Sequence, residues 1–292
     1  MGEVPRVHEG AELRPGVDVM DFDLLFGLVA EAGKAILDCD QEVPSPGKEL
    51  SLYDRAFERA YKVLLRGLRS CCGDIPVISK VENAAKPTGE ALSRYWLAHP
   101  LDGLFGGGSI DFTVDLALIE NDVPVLGLVY APVQKTFYFA AKGDGCWKMD
   151  EGARQRLTVS APPKGAPVRV IISRSHPSPD VLLLIDVLPS SVTMGRDSAL
   201  RFCAIAEGRA DLYPQLDLTR AWETAAGQII VTEAGGVMID SEGKPFRYSN
   251  ADFVNGPFLV APGSGWLEEM GLREWRKSFE NREYDFCAKS CR

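Results

Sequence analysis

The feature that most limits the folds open to this chain is a change of rhythm near residue 160. Before it, four β-type runs follow in quick succession at residues 112–120, 124–130, 136–141 and 145–149. Asn121, Asp122 and Val123 join the first two, which predicts an antiparallel hairpin that the later runs extend into a meander. After about Val159, strands at 168–173, 191–194 and 212–213 are separated by helical stretches, the clearest at 198–207 and 221–232. Such alternation is the pattern of an α/β layer. The expected organisation is therefore an α+β half with an antiparallel sheet over residues 1–160, followed by an α/β half over 161–292. At 292 residues the chain exceeds a usual single domain, so one large α/β unit or two intimately packed halves both fit.

Upstream, Phe22, Leu25, Phe26, Val29, Ala32, Ala35 and Ile36 recur at helical spacing and predict a helix over 21–40. Pro44, Pro46 and Gly47 break it, and a second amphipathic helix is expected over 53–69, with Ala56, Ala60, Val63 and Leu64 on its apolar face. A short strand at 75–79 and another at 95–98 follow, the latter delivering His99, Pro100, Leu101, Asp102 and Gly103 at its end. The tail over 266–292 is charged and partly helical.

Composition is that of an ordinary globular protein, with 46% hydrophobic and 25% charged residues. No apolar run reaches the ~20 residues of a membrane helix, and the polar leader with Glu3, Glu9 and Glu12 has no signal-peptide character, so no membrane association and a cytoplasmic location are expected. His8 in that leader is expected in solvent. The seven cysteines have no metal-ligand spacing and read as free thiols. A net charge of -9 disfavours a nucleic acid polymer as partner but leaves a small anion open, which needs only a local nest of donors.

Three segments carry a resemblance. The first is Trp96-Leu97-Ala98-His99-Pro100-Leu101-Asp102-Gly103. The second runs from Phe112-Thr113-Val114 through Gly127-Leu128-Val129-Tyr130-Ala131-Pro132. The third runs from Asp197-Ser198-Ala199-Leu200-Arg201-Phe202-Cys203 through Asp211-Leu212-Tyr213-Pro214 to Trp222-Glu223-Thr224-Ala225-Ala226-Gly227. In this order and spacing they resemble the inositol monophosphatase superfamily, most closely its bacterial 3'(2'),5'-bisphosphate nucleotidase branch. The resemblance implies an αβαβα sandwich of the inositol monophosphatase or sugar phosphatase type. It also implies hydrolysis of a phosphomonoester with a cluster of Mg²⁺ ions as cofactor, which bind phosphate and activate water.

Against the family pattern, the expected Glu-Glu pair is Lys80-Val81, the first strand-end aspartate is His99, and the threonine that helps position water is Leu104. Asp102 remains and Glu223 replaces an aspartate, so these two are the expected metal carboxylates, while Asp54 matches a second water-activating aspartate. Counting only the Glu-to-Lys and Asp-to-His changes, the site becomes more positive by three units, and Lys80 should repel a divalent ion at ~4 Å by several kcal/mol at an effective dielectric of about 20. Glu82 could swing in as a substitute. His99, Asp102, Lys80 and Asp54 are thus the candidate catalytic residues, with His99 either left behind by relaxed selection or serving as an acid or base. Asp102 could equally cap the Gly103 turn, and residues 105–109 could cradle an anion or form a plain loop.

The resemblance assigns substrate contacts to Gly103, to Ser175 and His176 of the Ser173-Arg174-Ser175-His176 turn, to Ser198 and Arg201, and to Glu223. Gln215 stands where an arginine is expected. The resulting expectation is an enzyme, monomeric or homodimeric, that takes a small phosphorylated substrate such as a nucleotide or sugar phosphate. Its chemistry would be hydrolysis with reduced metal use or a metal-independent elimination or transfer, and a non-catalytic phosphate-metabolite binder is the alternative.

Overall fold

The computed structural model describes residues 22–40, 51–80, 92–106, 109–175, 177–273 and 275. The leader with His8, the 41–47 breaker, Val81, Glu82, Gly107, Gly108, His176 and the tail beyond Trp275 lie outside the described residues.

Two helices open the chain, α1 (Phe22–Asp40) and α2 (Leu52–Cys72). Ser51 starts α2 by accepting a hydrogen bond from the Asp54 N–H, which satisfies one of the donors a helix start leaves open. The apolar faces of both helices, Leu25, Phe26, Val29 and Ile36 with Ala56, Ala60 and Leu64, bury against one side of a large sheet.

That sheet holds seven strands in sequence order: β1 (Val77–Ile78), β2 (Arg94–Asp102), β3 (Thr113–Glu120), β4 (Val123–Ala131), β5 (Thr136–Ala141), β6 (Gly145–Asp150) and β7 (Ala153–Leu157). β1 runs parallel to β2, and every later neighbour is antiparallel. The β3–β4 hairpin turns through Asn121 (φ 48) and Asp122 (φ 65). Two successive left-handed residues of these types match the twist of the flanking strands. Strand β7 was not expected from the sequence, because Ala153, Arg154, Gln155 and Arg156 are exposed on an edge and show no apolar alternation.

Side chains of β3 alternate as a two-residue period requires. Val114, Leu116 and Leu118 face α1 and α2, whereas Ala117 and Ile119 face the other way. On that second side lie α4 (Leu200–Ala206) and α5 (Ala221–Glu233), introduced below in chain order.

The C-terminal part comprises β8 (Val168–Ser173), α3 (Pro179–Asp186), β9 (Ser191–Arg196), α4, β10 (Tyr213–Gln215), β11 (Thr219–Arg220), α5, β12 (Val237–Asp240), β13 (Val254–Asn255), β14 (Phe258–Ala261) and α6 (Ser264–Glu269). β8 pairs parallel with β9 and through Val170 with Leu212, while β14 pairs antiparallel with both β10 and β12. The second sheet is therefore mixed, because β14 returns antiparallel between its neighbours. Helices α3 and α6 cover its outer side through Val181, Leu184, Ile185, Trp266 and Leu267. Five layers result: α1 and α2, the large sheet, α4 and α5, the second sheet, and α3 with α6.

The middle layer fits tightly. A Cβ added at Gly127 on β4 would stand 2.3 Å from Ile229 Cγ2 and 2.9 Å from the Ala226 carbonyl oxygen of α5. Gly127→Ala is expected to push α5 off the sheet at a cost of about 1–3 kcal/mol, read as a lower urea midpoint with an unchanged slope.

Candidate active site

The antiparallel register sets His99 of β2 directly opposite Asp115 of β3, so their side chains are neighbours on the α5 side of the sheet. A bulge between His99 and Asp102 then shifts the register, and Asp102 pairs with Thr113. This irregularity folds Asp102 back toward the imidazole: His99 Nδ1 lies 3.6 Å from Asp102 Oδ1. One ligand atom from each of His99, Asp102 and Asp115 lies within 4.8 Å of the others. His99 is 5% and Asp115 2% exposed, yet among the described residues His99 Nδ1 has no hydrogen-bond partner and the Asp115 carboxyl meets only Asp102 and Thr113. The hydroxyl of Ser79, fully buried just beyond β1, is orphaned too. Buried polar atoms are almost always satisfied, so a cluster of orphans marks a place where something else is meant to bind.

Burial dominates the protonation of these groups. It lowers His99 to about 4, with the Glu223 carboxylate opposing and the Lys80 ammonium adding to the effect. It raises Asp102 to about 6, against the pull of Arg201 and of hydrogen bonds from the Ala199 and Gly103 backbone. Asp115 is raised well above the usual carboxylate range by burial and by the Asp102 charge beside it. Near neutrality His99 is thus a neutral imidazole, and Asp115 holds on to its proton beside Asp102.

Gly103 follows with φ 94, and a Cβ there would meet the Asp111 carbonyl oxygen at 2.6 Å and Ser198 Cβ at 3.1 Å. Only glycine permits that approach. Ser198 is itself a buried left-handed residue with φ 59, and its carbonyl accepts from Arg201 Nε at 3.2 Å. The expected pair Gly103 and Ser198 is therefore brought together. Arg201 stacks 4.8 Å from the Tyr213 ring centroid and reaches Gln215 Oε1 at 3.4 Å, so the glutamine helps to hold that arginine.

The turn after β8 lies differently from expectation. Asp197 Oδ1 accepts from Ser173 Oγ at 3.1 Å, Arg174 N at 3.2 Å, Ser175 N at 3.3 Å and Ser175 Oγ at 3.0 Å. Burial pushes this carboxyl up, but the bonds from Ser175, Ser173 and the Arg174 backbone outweigh it and leave it lowered. Ser175 thus serves an internal carboxylate. Beside it, the fully buried Asp111 binds Arg174 Nη2 at 2.8 Å and Arg196 Nη1 at 2.9 Å, tying the loop after β2 to the second sheet.

Lys80 Nζ sits 5.5 Å and 5.7 Å from the Tyr53 and Phe57 ring centroids, within cation–π range. Tyr53 donates to the Leu101 carbonyl at 2.9 Å, and burial together with the Asp102, Glu223 and Asp54 charges raises it to about 12. Glu223 accepts from the Arg220 N–H at 3.0 Å, as a carboxylate in a first helical turn does. Asp54 is exposed and accepts the Ser51 hydroxyl at 2.7 Å. Asp115 is the residue that motif matching missed; the signal was a lone carboxylate in the otherwise apolar run Val114 to Ile119.

Fold and site together define the class: a five-layered α/β protein of the inositol phosphatase type. The chain belongs to the inositol monophosphatase family, whose profile matches residues 27–273. It is similar to the 3'(2'),5'-bisphosphate nucleotidase CysQ of Salmonella typhimurium, at 41% identity over 204 residues covering 69% of this chain and 81% of that one. The same-named protein of Escherichia coli is 38% identical over 205 residues, covering 69% and 82%. Among solved structures, CysQ from Bacteroides thetaiotaomicron, described as a bacterial member of the inositol monophosphatase family, superposes with a TM-score of 0.74 at 26% identity, covering 85% of this chain and 99% of that one. Among the described residues no helix is long and apolar enough to cross a membrane.

Proposed function

We propose that this chain binds a small phosphorylated molecule, a nucleotide or sugar phosphate, where Lys80, His99, Asp102, Arg201 and Glu223 meet, and acts on the phosphomonoester without the family's magnesium cluster. One observation carries the reading: His99 is a buried neutral imidazole on which the Lys80 ammonium acts, at positions where the sequence resemblance leads one to expect carboxylates. Magnesium takes six oxygens at about 2.1 Å and keeps several as water. A buried ring nitrogen and a lysine supply neither the oxygens nor the charge, so the residues present do not fit several Mg²⁺ ions.

The same groups suit phosphate directly. Lys80 and Arg201 supply cations for its oxygens, and His99, lowered to about 4, is free at neutral pH to accept a proton from an attacking water. The nucleotide class is supported by the names of the CysQ relatives. A single phosphate is favoured, because Asp197 already fills the donors of the Ser173–Ser175 turn.

The test is calorimetric titration with a nucleoside 3',5'-bisphosphate, nucleoside 5'-monophosphates and sugar phosphates, paired with phosphate-release assays. Saturable binding is expected, weakened about tenfold or more in Lys80→Ala through loss of a charge-assisted contact. Phosphate release is expected to respond little to Mg²⁺ and to fall in His99→Ala. Rapid release that requires Mg²⁺ would overturn the reading.

A further inference from the structure

We propose that His99, Asp102 and Asp115 form a site for one divalent transition-metal ion of the zinc or manganese type. This deepens the reading of the same site, yet it rests on side-chain geometry and not on any substrate. Three observations support it. The first is convergence: an imidazole and two carboxylates from adjacent strands place one ligand atom each within 4.8 Å of the others. The His99 Nδ1 to Asp102 Oδ1 spacing of 3.6 Å is near the ~3.4 Å that two ligands of a tetrahedral ion with ~2.1 Å bonds keep.

The second observation is the set of open valences. Among the described residues His99 Nδ1 is buried, faces this cluster and has no hydrogen-bond partner, and the buried Asp115 carboxyl meets only Asp102 and Thr113. A metal ion accepts lone pairs from the nitrogen and from both carboxylates at once.

The third is charge. Asp102, Asp115 and Glu223 act on this site together with the cations Lys80 and Arg201, which leaves one excess negative charge when all are ionised. That balance favours one cation, and a second divalent ion would not be compensated. The donor set then selects among ions. An imidazole suits zinc, iron, cobalt and nickel, manganese accepts mixed nitrogen and oxygen, and magnesium prefers oxygen alone. Asp115 has no place in the magnesium pattern that the family motifs imply, and His99 replaces a member of it, so this is a different site built at the same strand ends.

The experiment uses the full chain stripped with chelator, on a Cys71→Ser, Cys72→Ser background that removes the exposed neighbouring thiols. Cobalt(II) is titrated while its visible d–d absorption is followed, bound metal is counted by mass spectrometry, and Zn²⁺ or Mg²⁺ is then added as competitor. Expected are one cobalt per chain without thiolate charge-transfer absorption, displacement by stoichiometric Zn²⁺, and retention in millimolar Mg²⁺. Affinity should fall at least ~100-fold in Asp115→Asn and in His99→Gln. If one variant does not fold, the other decides. No cobalt uptake, uptake unchanged in the folded variant, or ready displacement by Mg²⁺ would overturn the proposal, and none of these results would alter the phosphate-binding titrations of the preceding section.

Discussion

Lys80→Glu combined with His99→Asp is expected to convert a phosphate release that ignores magnesium into one that depends on it, with a rise on the order of 10²-fold in millimolar Mg²⁺. The argument is electrostatic. The two substitutions make the strand ends more negative by three charges, and they replace a nitrogen and an ammonium with oxygens that a hard cation accepts. Asp102 and Glu223 are already in position beside them, as the charge coupling of Glu223 to His99 shows. Adding Leu104→Thr supplies a hydroxyl where the wild-type chain offers none, and should increase the gain. The check is initial phosphate release from a nucleoside monophosphate against Mg²⁺ concentration. If the wild-type protein already shows the steep magnesium response and the double variant loses it, the charge argument is wrong.

Much of this architecture could be read from the sequence because it is encoded locally. The apolar periodicity of α1 and α2, the Asn121-Asp122 turn and the run 136–141 each depend on residues close in the chain. The strand-end group His99 and Asp102 was legible for the same reason, since both lie within four residues. What escaped is what only cross-strand register supplies. Nothing near Asp115 says that it will face His99; that follows from how β2 and β3 pair and from the bulge that brings Asp102 back. A charge count confined to positions 80 and 99 therefore omits Asp115. Likewise the Asp111 pairs with Arg174 and Arg196 join residues more than sixty positions apart. Asp197 stands in sequence just before the helical stretch at 198–207, but its carboxylate serves the turn after β8, because the parallel pairing of β8 and β9 ends both strands side by side.

In chelator, Asp115→Asn is expected to stabilise the protein by about 1–3 kcal/mol at pH 8, a rise in melting temperature of roughly 2–10 °C. Asp115 and Asp102 are buried in contact, and burial raises both. An acid whose folded-state pKa lies above its unfolded value keeps its proton longer when folded. Its stabilising contribution is complete below the unfolded value and is lost as pH climbs through the folded one. For Asp102 that loss spans about pH 4 to 6. His99 acts oppositely: with its folded value lowered to about 4, it makes the protein more stable as pH rises from there to about 6.5. In the wild-type protein two raised carboxyls, Asp102 and Asp115, outweigh the one lowered imidazole, so stability should fall between pH 4 and 6. An asparagine at 115 carries no charge and never titrates, so the loss due to Asp115 is removed and only Asp102 and His99 oppose each other. Melting curves of the metal-free variant should therefore stay nearly level over pH 4–6, where wild type falls, and stand furthest above wild type at pH 8. The same substitution removes a proposed metal ligand, so a residue that costs stability in the empty protein is retained for what it binds. A variant less stable than wild type at pH 8 would mean that Asp115 is a satisfied structural carboxyl and not an open ligand.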